Sequence, residues 1–496
     1  MFDKIKKLVN HTAVYGLGNV GNRFAGFLLI PLYSYYLTPA DYGVLALVGM
    51  LGQVLFVLAN MGQGSALFRT YFLHDTPEER QTVISTSLWI ILGLSLPICF
   101  LAFLFSQPLT SLLTGNADYV TWVMIGIGGV AVKILLRMPL AVLRAREESR
   151  RYALSMFVDT IVSIVFVIFL VVSVRLGGLG VMLGQALGDL LICLYLFPVT
   201  LRELNLTFSR QDANDMLGYG IYLMPSGLFS FILHLSDRFF LRYFASLSSV
   251  GLYSLGYRMG EILSFPLQAL ELAWPQFLFS NYKGPDAQAL YARVSTYVVV
   301  LMGFLWLTVS LLAKEVVTIM TAPAYHEAYR VVPWIAGAFF FQGLNIIGSI
   351  GIDLQRKVKY RPLILATTAG LNIGLNFLLI PRYEMIGAAI ANFTSFAFQA
   401  LFRALVSYRL YPISYEYRRL IRIFLCVAAL YAANVFVEWG ALWTALVGKA
   451  VLLMSFPILL YLSGFFQPGE IEQLQKLLRR LRQRPGNSLT ARSSSE

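Results

Sequence analysis

Long apolar segments recur along the whole chain, and short polar or charged stretches separate them. A helix needs about 20 mostly apolar residues to cross the hydrocarbon core of a bilayer. The pattern therefore predicts an all-α integral membrane protein, because helices satisfy their own backbone hydrogen bonds in lipid. We predict fourteen membrane-spanning helices, near residues 12–36, 44–68, 83–105, 119–136, 153–174, 179–199, 217–239, 250–273, 294–312, 331–351, 363–380, 386–405, 421–437 and 441–464.

Two segments 208 positions apart, 41–55 and 249–263, repeat one pattern of glycine and leucine. An internal duplication in a membrane chain is typical of a transporter built from two lobes with a binding site between them. The matched positions are Gly43/Gly251, Leu47/Leu255, Gly52/Gly260, Leu55/Leu263, Tyr152/Tyr360, Thr160/Thr368, Phe169/Phe377, Leu170/Leu378 and, one residue out of step, Gly180/Gly387.

The repeats also predict the domain organisation. Each repeat holds six spans, an even number, so the two lobes are expected to run in the same direction about an axis along the membrane normal. The last two spans lie outside the duplication. The predicted parts are an N-lobe at 1–209, a C-lobe at 210–410, an extra helix pair at 411–466 and a basic amphipathic cytoplasmic tail at 467–496.

Composition and charge agree with this topology. Only 13% of the residues are charged and the mean hydropathy is +0.67, whereas soluble proteins carry about 25% charged residues. With the N-terminus inside, 29 Lys and Arg residues fall in cytoplasmic segments and 6 in outer loops. This bias is the positive-inside rule, and it predicts that both termini are cytoplasmic. The net charge of +13 thus reflects topology and an anionic leaflet, and no nucleic-acid partner is expected.

The end of the chain carries a further amphipathic pattern. Residues 470–484 place apolar side chains on one helical face and basic side chains on the other. A helix on the cytoplasmic membrane surface and a solvated helix both fit this pattern. The composition of residues 485–496 is typical of disorder.

Polar side chains inside the spans mark candidate sites, because placing them in hydrocarbon is costly. The strongest is Arg23, which needs an anion, a carboxylate or a water-filled cavity. The amides fit interhelical hydrogen bonds equally well, and Arg258 with Glu261 fits a neutral structural pair. The candidates for lining a substrate pathway are Asn19, Asn22, Arg23, Gln53, Asn60 and Arg258.

Charged residues within the spans are candidates for ion coupling or gating. Asp159, Asp189 and Glu261 are positioned to bind a coupling ion, and pairing with a basic residue is the alternative. Asp237 and Arg238 lie together near the outer end of span 7. Lys133 and Arg238 are also expected to reach toward a membrane interface.

Enzyme chemistry finds no support in the sequence. It has no GxxxxGK[ST], HExxH or GxSxG motif, and its connections are too short for a catalytic domain. The three cysteines lie in apolar stretches, and the four histidines have no ligand spacing, so we expect neither a metal site nor a cofactor.

Three stretches carry a resemblance to a known family. They are LTPADYGVLAL at 37–47, SDRFFLRYFASLSSVGLYSLGYRMGEIL at 236–263 and LNIGLNFLLIPRYEMIGAAIANF at 371–393. In the order and spacing of these three stretches, the chain resembles the Wzx-type polysaccharide flippases of the multidrug/oligosaccharidyl-lipid/polysaccharide transporter superfamily.

The resemblance implies a flippase of the bacterial inner membrane that serves surface polysaccharide biosynthesis by alternating access. Its substrate would be an undecaprenyl-diphosphate-linked oligosaccharide, held in a central, often cationic cavity. Arg23 and Arg258 would meet the diphosphate, and the amides would bind sugar hydroxyls. Asp237 and Arg238 would form a gating salt bridge or contact substrate. The implied partners are membrane lipids, a coupling H⁺ or Na⁺ ion and polysaccharide polymerase machinery.

Three alternatives remain at this point. A flippase for the peptidoglycan lipid precursor would share the same frame and lipid carrier. An ion-coupled drug exporter of the same superfamily would usually show twelve spans and an acidic cavity. A membrane polymerase or ligase acting on the same lipid-linked sugars would carry a large outer loop, which this chain lacks.

Overall fold

The computed structural model of the protein describes residues 26–437, 439–470 and 472, and every regular element within them is helical. Short 3₁₀ segments occur at Ala117–Tyr119, Glu261–Leu263 and Pro323–Arg330, and a π-helical turn at Phe169–Ser173. The α-helices are α1 Ile30–Tyr36, α2 Pro39–Asn60, α3 Gln63–Tyr71, α4 Pro77–Leu104, α5 Ser106–Thr114, α6 Val120–Ala145, α7 Ser149–Ile168, α8 Gly177–Leu201, α9 Arg210–Phe244, α10 Leu247–Gly260, α11 Ser264–Asn281, α12 Ala287–Met320, α13 Val332–Ile347, α14 Ile350–Leu354, α15 Tyr360–Leu410, α16 Tyr417–Phe436 and α17 Leu442–Leu462.

The predicted all-α membrane fold is confirmed. In the described residues, eleven helices are long and apolar enough to cross a membrane, by length and composition. The predicted span at 250–273 is divided by the 3₁₀ turn Glu261–Leu263, and the predicted first span lies mostly outside the described residues. The predicted spans 363–380 and 386–405 both fall within α15, whose 51 residues count as one helix.

α15 changes direction part-way along its length. An unbroken helix of 51 residues would extend about 76 Å, far beyond a hydrocarbon core of about 30 Å. The break lies at Glu384, which has a φ of 44° and a ψ of −124°. Just beyond it, Gly387 approaches the carbonyl of Leu379 so closely that an added Cβ would lie 2.4 Å from that oxygen. A glycine is needed where two helical segments pack this tightly.

Local sequence explains where several helices begin. α2 follows a capping box, in which the Thr38 hydroxyl accepts from the Asp41 N–H and the Asp41 carboxylate accepts from the Thr38 N–H. α4 begins with the same arrangement of Thr76 and Glu79, and a proline stands at the first helical position in both cases. These features satisfy backbone N–H groups that a helix start leaves free.

α2 and α10, which carry the duplicated segment, pack against each other at the matched pair Gly43 and Gly251. An added Cβ on Gly43 would lie 2.1 Å from the Leu247 carbonyl oxygen, and one on Gly251 would lie 1.8 Å from the Pro39 carbonyl oxygen. Because each helix meets the same part of the other, the contact is reciprocal, as a pseudo-two-fold axis requires. We call this contact the Gly43–Gly251 crossing.

The chain divides into two compact units. The first contains the described residues up to Gly284 together with Ala313–Pro412. Within it α6 packs on α8 and α7, in the first half of the chain, and α15 packs on α9 and α13, in the second half. The predicted lobe boundaries at 209/210 and 410/411 stay predictions.

The second unit contains Pro285–Leu312 and the described residues from Ile413 onward. Its Arg419 is only 6% exposed and donates to both Glu416 and Glu470, with the Phe465 ring 4.2 Å from its guanidinium carbon. Burial acts to raise the pKa of Glu470, but hydrogen bonds from the Tyr297 hydroxyl and the Gln467 N–H, with the Arg419 charge, outweigh it. The pKa of Glu470 is therefore held below its ordinary value.

Candidate functional site

A large charged cavity lies inside the first unit. Two adjoining cavities of about 790 Å³ and 750 Å³ are lined by residues from both halves of the chain, and they share part of their lining. Sites of this kind between repeats are where transporters bind their substrates. The shared residues are Tyr33, Gln53, Lys133, Arg137, Gln185, Asp189, Arg258, Glu261 and Gln268.

The charges lining the cavity are mixed rather than simply cationic. Within the described part of the chain, four basic side chains and four carboxylates face it. The basic ones are Lys133, Arg137, Arg238 and Arg258, and the acidic ones are Asp159, Asp189, Glu261 and Glu271. A balanced set of this kind can take up an anion only when some of the carboxylates are neutralised or held elsewhere.

Four of these charges form a group on the first-half helices α6, α7 and α8. Lys133 and Arg137 are one turn apart on α6, and Asp159 and Asp189 lie within electrostatic reach of both. Among the described residues, no ion pair within 4 Å joins the two acids to the two bases. The Oδ1 atom of Asp159 is buried without a hydrogen-bond partner. The group therefore holds opposite charges close together without neutralising them by direct contact.

Arg258 occupies the opposite wall, on α10. Its electrostatic neighbours are Tyr42, Tyr33 and Glu261. Its guanidinium also lies against the glycine at position 26, where an added Cβ would be 2.8 Å from Nη2. Arg258 is thus set between the first described residues of the chain and the cavity.

Asp237 and Arg238 form a buried network at the cavity wall, to which Arg238 contributes. The Asp237 carboxylate, whose residue is 1% exposed, accepts from Arg238, from the Tyr253 hydroxyl and from Asn392 Nδ2 at 2.9 Å. The Arg238 guanidinium also donates to the His234 carbonyl oxygen at 2.8 Å. These partners belong to α9, α10 and α15, all in the second half of the chain. The network ties these helices together, and the predicted gating role of Asp237 and Arg238 stays a prediction.

The structure brings some of the predicted site residues together and leaves others apart. Gln53, Asp189, Arg258 and Glu261 line both parts of the cavity, while Asp159 lines one part. Asn60 is the last residue of α2 and does not contribute to the described lining. The remaining predicted residues, Asn19, Asn22 and Arg23, lie outside the described part of the chain.

Two of the cavity residues that sequence reasoning missed are basic. Lys133 was expected to reach toward an interface, and Arg137 was placed in a cytoplasmic loop. In the structure α6 continues to Ala145, so both residues stand on one helical face and line the cavity. The i, i+4 spacing was the available signal. Hydropathy alone hid it, because a helix can continue past the point where its sequence becomes polar.

The cavity is closed at the end where α2 and α10 begin. The Gly43–Gly251 crossing leaves no space there, and the Tyr325 hydroxyl donates to the Leu37 carbonyl oxygen at 3.0 Å. The ring of Tyr42 packs edge-on against Tyr325, with 6.0 Å between the ring centroids. By the predicted orientation, this is the outer side of the membrane.

Comparison with known proteins supports the family resemblance. Residues 8–270 match the family described as "Polysaccharide biosynthesis protein", which is more than half of the chain. The chain belongs to the polysaccharide biosynthesis protein family. Among curated relatives, the protein from Escherichia coli strain K12 named lipid III flippase is 33% identical over 182 residues, 36% of this chain and 41% of that protein. The chain spans between 39% and 58% of the length of the curated relatives that it matches.

Solved structures show the same fold. The lipid II flippase MurJ in an inward closed conformation aligns with a TM-score of 0.68 over 91% of this chain and 99% of that chain, at 13% identity. An inward-facing MATE multidrug transporter of the MOP superfamily aligns with a TM-score of 0.61 over 79% of this chain and 96% of that chain, at 16% identity. At such identities the likeness concerns the fold alone. The predicted likeness in fold to transporters of this kind is confirmed, and the protein is a multi-pass membrane protein.

Proposed function

We propose that this protein is a flippase that moves an undecaprenyl-diphosphate-linked oligosaccharide from the cytoplasmic to the outer leaflet of the bacterial inner membrane. The observation that carries the proposal is the cavity between the two halves of a polysaccharide biosynthesis protein, with Lys133, Arg137 and Arg258 facing into it. A lipid-linked sugar diphosphate requires such a site, because its anionic head group must cross hydrocarbon within a polar enclosure.

The cavity offers separate groups for the two parts of the head group. Lys133 and Arg137 on one wall and Arg258 on the other supply charge-assisted donors for diphosphate oxygens. The amides of Gln53, Gln185 and Gln268 supply donors and acceptors for sugar hydroxyls. Asn19, Asn22, Arg23 and Asn60 stay proposed members of the same pathway.

Transport would proceed by alternating access. The Gly43–Gly251 crossing closes the predicted outer side, so substrate would bind from the cytoplasmic side with the chain in this arrangement. Separation of α2 from α10 would then open the cavity outward. The predicted cytoplasmic position of both termini fits this direction of transport. No chemical conversion of the substrate is required, and the protein would act as a transporter rather than an enzyme.

Asp159 and Asp189 give the cavity a means of coupling to ions. While ionised, they compensate the charges of Lys133 and Arg137. Protonation of the two carboxylates, or binding of a cation to them, would leave the two bases available to the diphosphate. Binding of a proton or sodium ion to these carboxylates would thereby alternate with their pairing to the two bases, so that an ion gradient controls binding of the diphosphate. Glu261, beside Arg258, would serve the same purpose on the opposite wall.

Deletion of the gene tests the proposal. We expect lipid-linked oligosaccharide to accumulate on the inner leaflet and surface polysaccharide to disappear, with wild-type protein restoring both. Rescue by the Arg137→Gln variant should be poor, whereas rescue by Arg150→Gln, which removes an exposed charge outside the cavity, should be complete. Normal surface polysaccharide in the deletion strain, with no second transporter present, would refute the flippase.

A second candidate is the peptidoglycan lipid precursor, which the likeness to MurJ supports at the level of fold. Both substrates share the undecaprenyl diphosphate carrier and differ in their sugars. Complementation separates them, because a flippase of the peptidoglycan precursor should rescue loss of the essential flippase in a test strain. Failure of that rescue, together with restored polysaccharide, would assign the protein to polysaccharide units.

A further inference from the structure

Three basic residues follow one face of α6 from the cavity to the end of the helix. Lys133, Arg137 and Arg144 occupy positions i, i+4 and i+11, which fall within about 40° of one another at about 100° per residue. The rise from Lys133 to Arg144 is about 16 Å, roughly half the thickness of the hydrocarbon core. We call these three residues the basic ladder.

The two arginines of the ladder have contacts that leave their hydrogen-bond donors available. The guanidinium carbon of Arg137 lies 5.5 Å from the centre of the Phe56 ring, and that of Arg144 lies 5.8 Å from the centre of the Phe68 ring. In the described part of the chain, neither arginine has a carboxylate within 4 Å. An aromatic face attracts a cation without using its N–H groups, so the donors remain free for a ligand.

A neighbouring arginine shows the contrasting arrangement. Arg146 follows Arg144 by two residues, and its guanidinium pairs with Glu148 at 3.2 Å and with Glu203 at 2.8 Å. Its charge is therefore already used within the fold. Two carboxylates near this end of α6, Glu148 and Glu203, pair with Arg146, whereas among the described residues Arg144 has no carboxylate within 4 Å. Arg144 is also exposed, and this combination is typical of a residue that meets a ligand.

The wall opposite the ladder is aromatic and partly exposed. Phe56 belongs to α2 and Phe68 to α3, and between them the backbone turns at Met61 and Gly62, which have φ values of 37° and 68°. This turn ends α2 and begins α3, which also packs on α6. Phe68 is 40% exposed, and its ring lies 4.9 Å from that of Phe72. A ligand with an anionic group and an apolar chain would find partners for both parts here, because the arginines would bind the anion and the exposed phenylalanine rings would contact the chain.

We propose that the basic ladder captures the diphosphate of a polyprenyl-linked substrate at the predicted cytoplasmic end of α6 and delivers it into the cavity. Arg144 meets the diphosphate first, Arg137 takes it at the mouth of the cavity, and Lys133 receives it inside. A guanidinium fork binds phosphate oxygens in pairs, which suits a diphosphate better than a single carboxylate. This proposal rests on the proposed function and adds the path by which its substrate is loaded.

The ladder predicts a different kinetic defect for each of its two arginines. A charge at the rim of a site mainly speeds association, whereas a charge inside it mainly slows dissociation. We expect Arg144→Gln to lower the association rate of a diphosphate about fivefold and to weaken its salt dependence, with dissociation nearly unchanged. Arg137→Gln should raise the dissociation rate about tenfold, the effect of one lost charge-assisted hydrogen bond of about 1.4 kcal/mol.

Surface plasmon resonance on the full-length protein in lipid nanodiscs tests this directly. The probe is farnesyl diphosphate, a water-soluble polyprenyl diphosphate, with farnesyl monophosphate as the comparison. Arg150→Gln is the matched control, because it removes an exposed charge at the start of α7, outside the ladder. Arg144→Lys keeps the charge and should recover most of the association rate, which separates a loading role from a folding defect.

Two outcomes would overturn the ladder alone. In one, Arg144→Gln binds farnesyl diphosphate with the same association rate as Arg150→Gln. In the other, Arg144→Gln restores surface polysaccharide to a deletion strain as fast as the wild type does. In that second case the flippase stands and only the loading path fails. If the wild type itself neither binds the diphosphate nor restores polysaccharide, the proposed function fails and the ladder with it.

Discussion

Gly43 and Gly251 make a close helix contact beside the cavity, and a methyl group at Gly43 should force that contact open. An added Cβ there would lie 2.1 Å from the Leu247 carbonyl oxygen. Real Cβ atoms hardly ever approach closer than 3.0 Å, so α2 and α10 must separate by at least about 0.9 Å, the difference between the two distances. Overpacking of this kind costs about 1–3 kcal/mol.

That cost applies to the closed arrangement and disappears once the helices separate. The gain in helix propensity from glycine to alanine acts in both arrangements and therefore cancels. Gly43→Ala should then shift the equilibrium toward an outward-open cavity by about 1–3 kcal/mol, a factor of about 5–150. Gly251→Ala should act in the same direction, since its added Cβ would lie 1.8 Å from the Pro39 carbonyl oxygen.

Cysteine accessibility measures this shift. The natural cysteines Cys99, Cys193 and Cys426 are buried and are replaced by alanine, and Gln53→Cys then reports from inside the cavity. A membrane-impermeant maleimide is added to the outside of right-side-out vesicles. The labelling rate should rise in proportion to the open population when Gly43→Ala is introduced.

The matched control is Gly49→Ala on the same helix, because no atom lies within 4 Å of a Cβ added at Gly49. It should label at the parent rate. Equal labelling of the Gly43→Ala variant and its parent would refute the reasoning. So would an equally large increase in the Gly49→Ala control, since the effect would then come from helix propensity and not from the crossing.

Three further predictions concern stability and coupling. Asp237→Asn leaves the buried Arg238 without its counter-charge, so we expect a loss of about 3–5 kcal/mol and a lower thermal midpoint in detergent, and an unchanged midpoint would contradict this. Glu470→Gln should lower the thermal midpoint above pH 4.5, the ordinary pKa of this group. Because the pKa of Glu470 is lowered in the folded protein, its stabilising contribution is complete above pH 4.5 and is lost as the pH falls through the folded-state pKa. A difference in midpoint between variant and wild type that persists below the folded-state pKa would contradict this account of Glu470. The double change Asp159→Asn and Asp189→Asn should make transport insensitive to an imposed pH or sodium gradient, and a retained gradient response would remove both residues from coupling.

The sequence predicted the membrane fold and its internal symmetry because hydropathy and glycine spacing are local signals. It could not show that Gly43 and Gly251 meet, since two matched positions in a repeat touch only when the axis passes between them. That contact arises from the packing of helices separated by 208 residues in the chain. Sequence symmetry therefore identified the pair of glycines but not their contact.

The candidate site was predicted less completely. Gln53, Arg258 and Asp189 were found because polar residues inside apolar spans stand out. Arg137 was missed because α6 continues beyond its apolar stretch, and the length of a helix there depends on packing rather than hydropathy. The resemblance also implied a cationic cavity, whereas the described lining balances four basic residues with four carboxylates. Only the folded arrangement reveals which acids lie beside which bases.

Reconstitution is the most direct test of the central claim. Purified protein is placed in liposomes with a fluorescent undecaprenyl-diphosphate-linked oligosaccharide, and an external glycosidase reports how fast the sugar moves between leaflets. We expect translocation well above that of protein-free liposomes, slowed about tenfold or more by Arg137→Gln or Arg258→Gln and unaffected by Arg150→Gln. Translocation by the wild type no faster than in protein-free liposomes, across imposed proton and sodium gradients of either sign, would contradict the flippase.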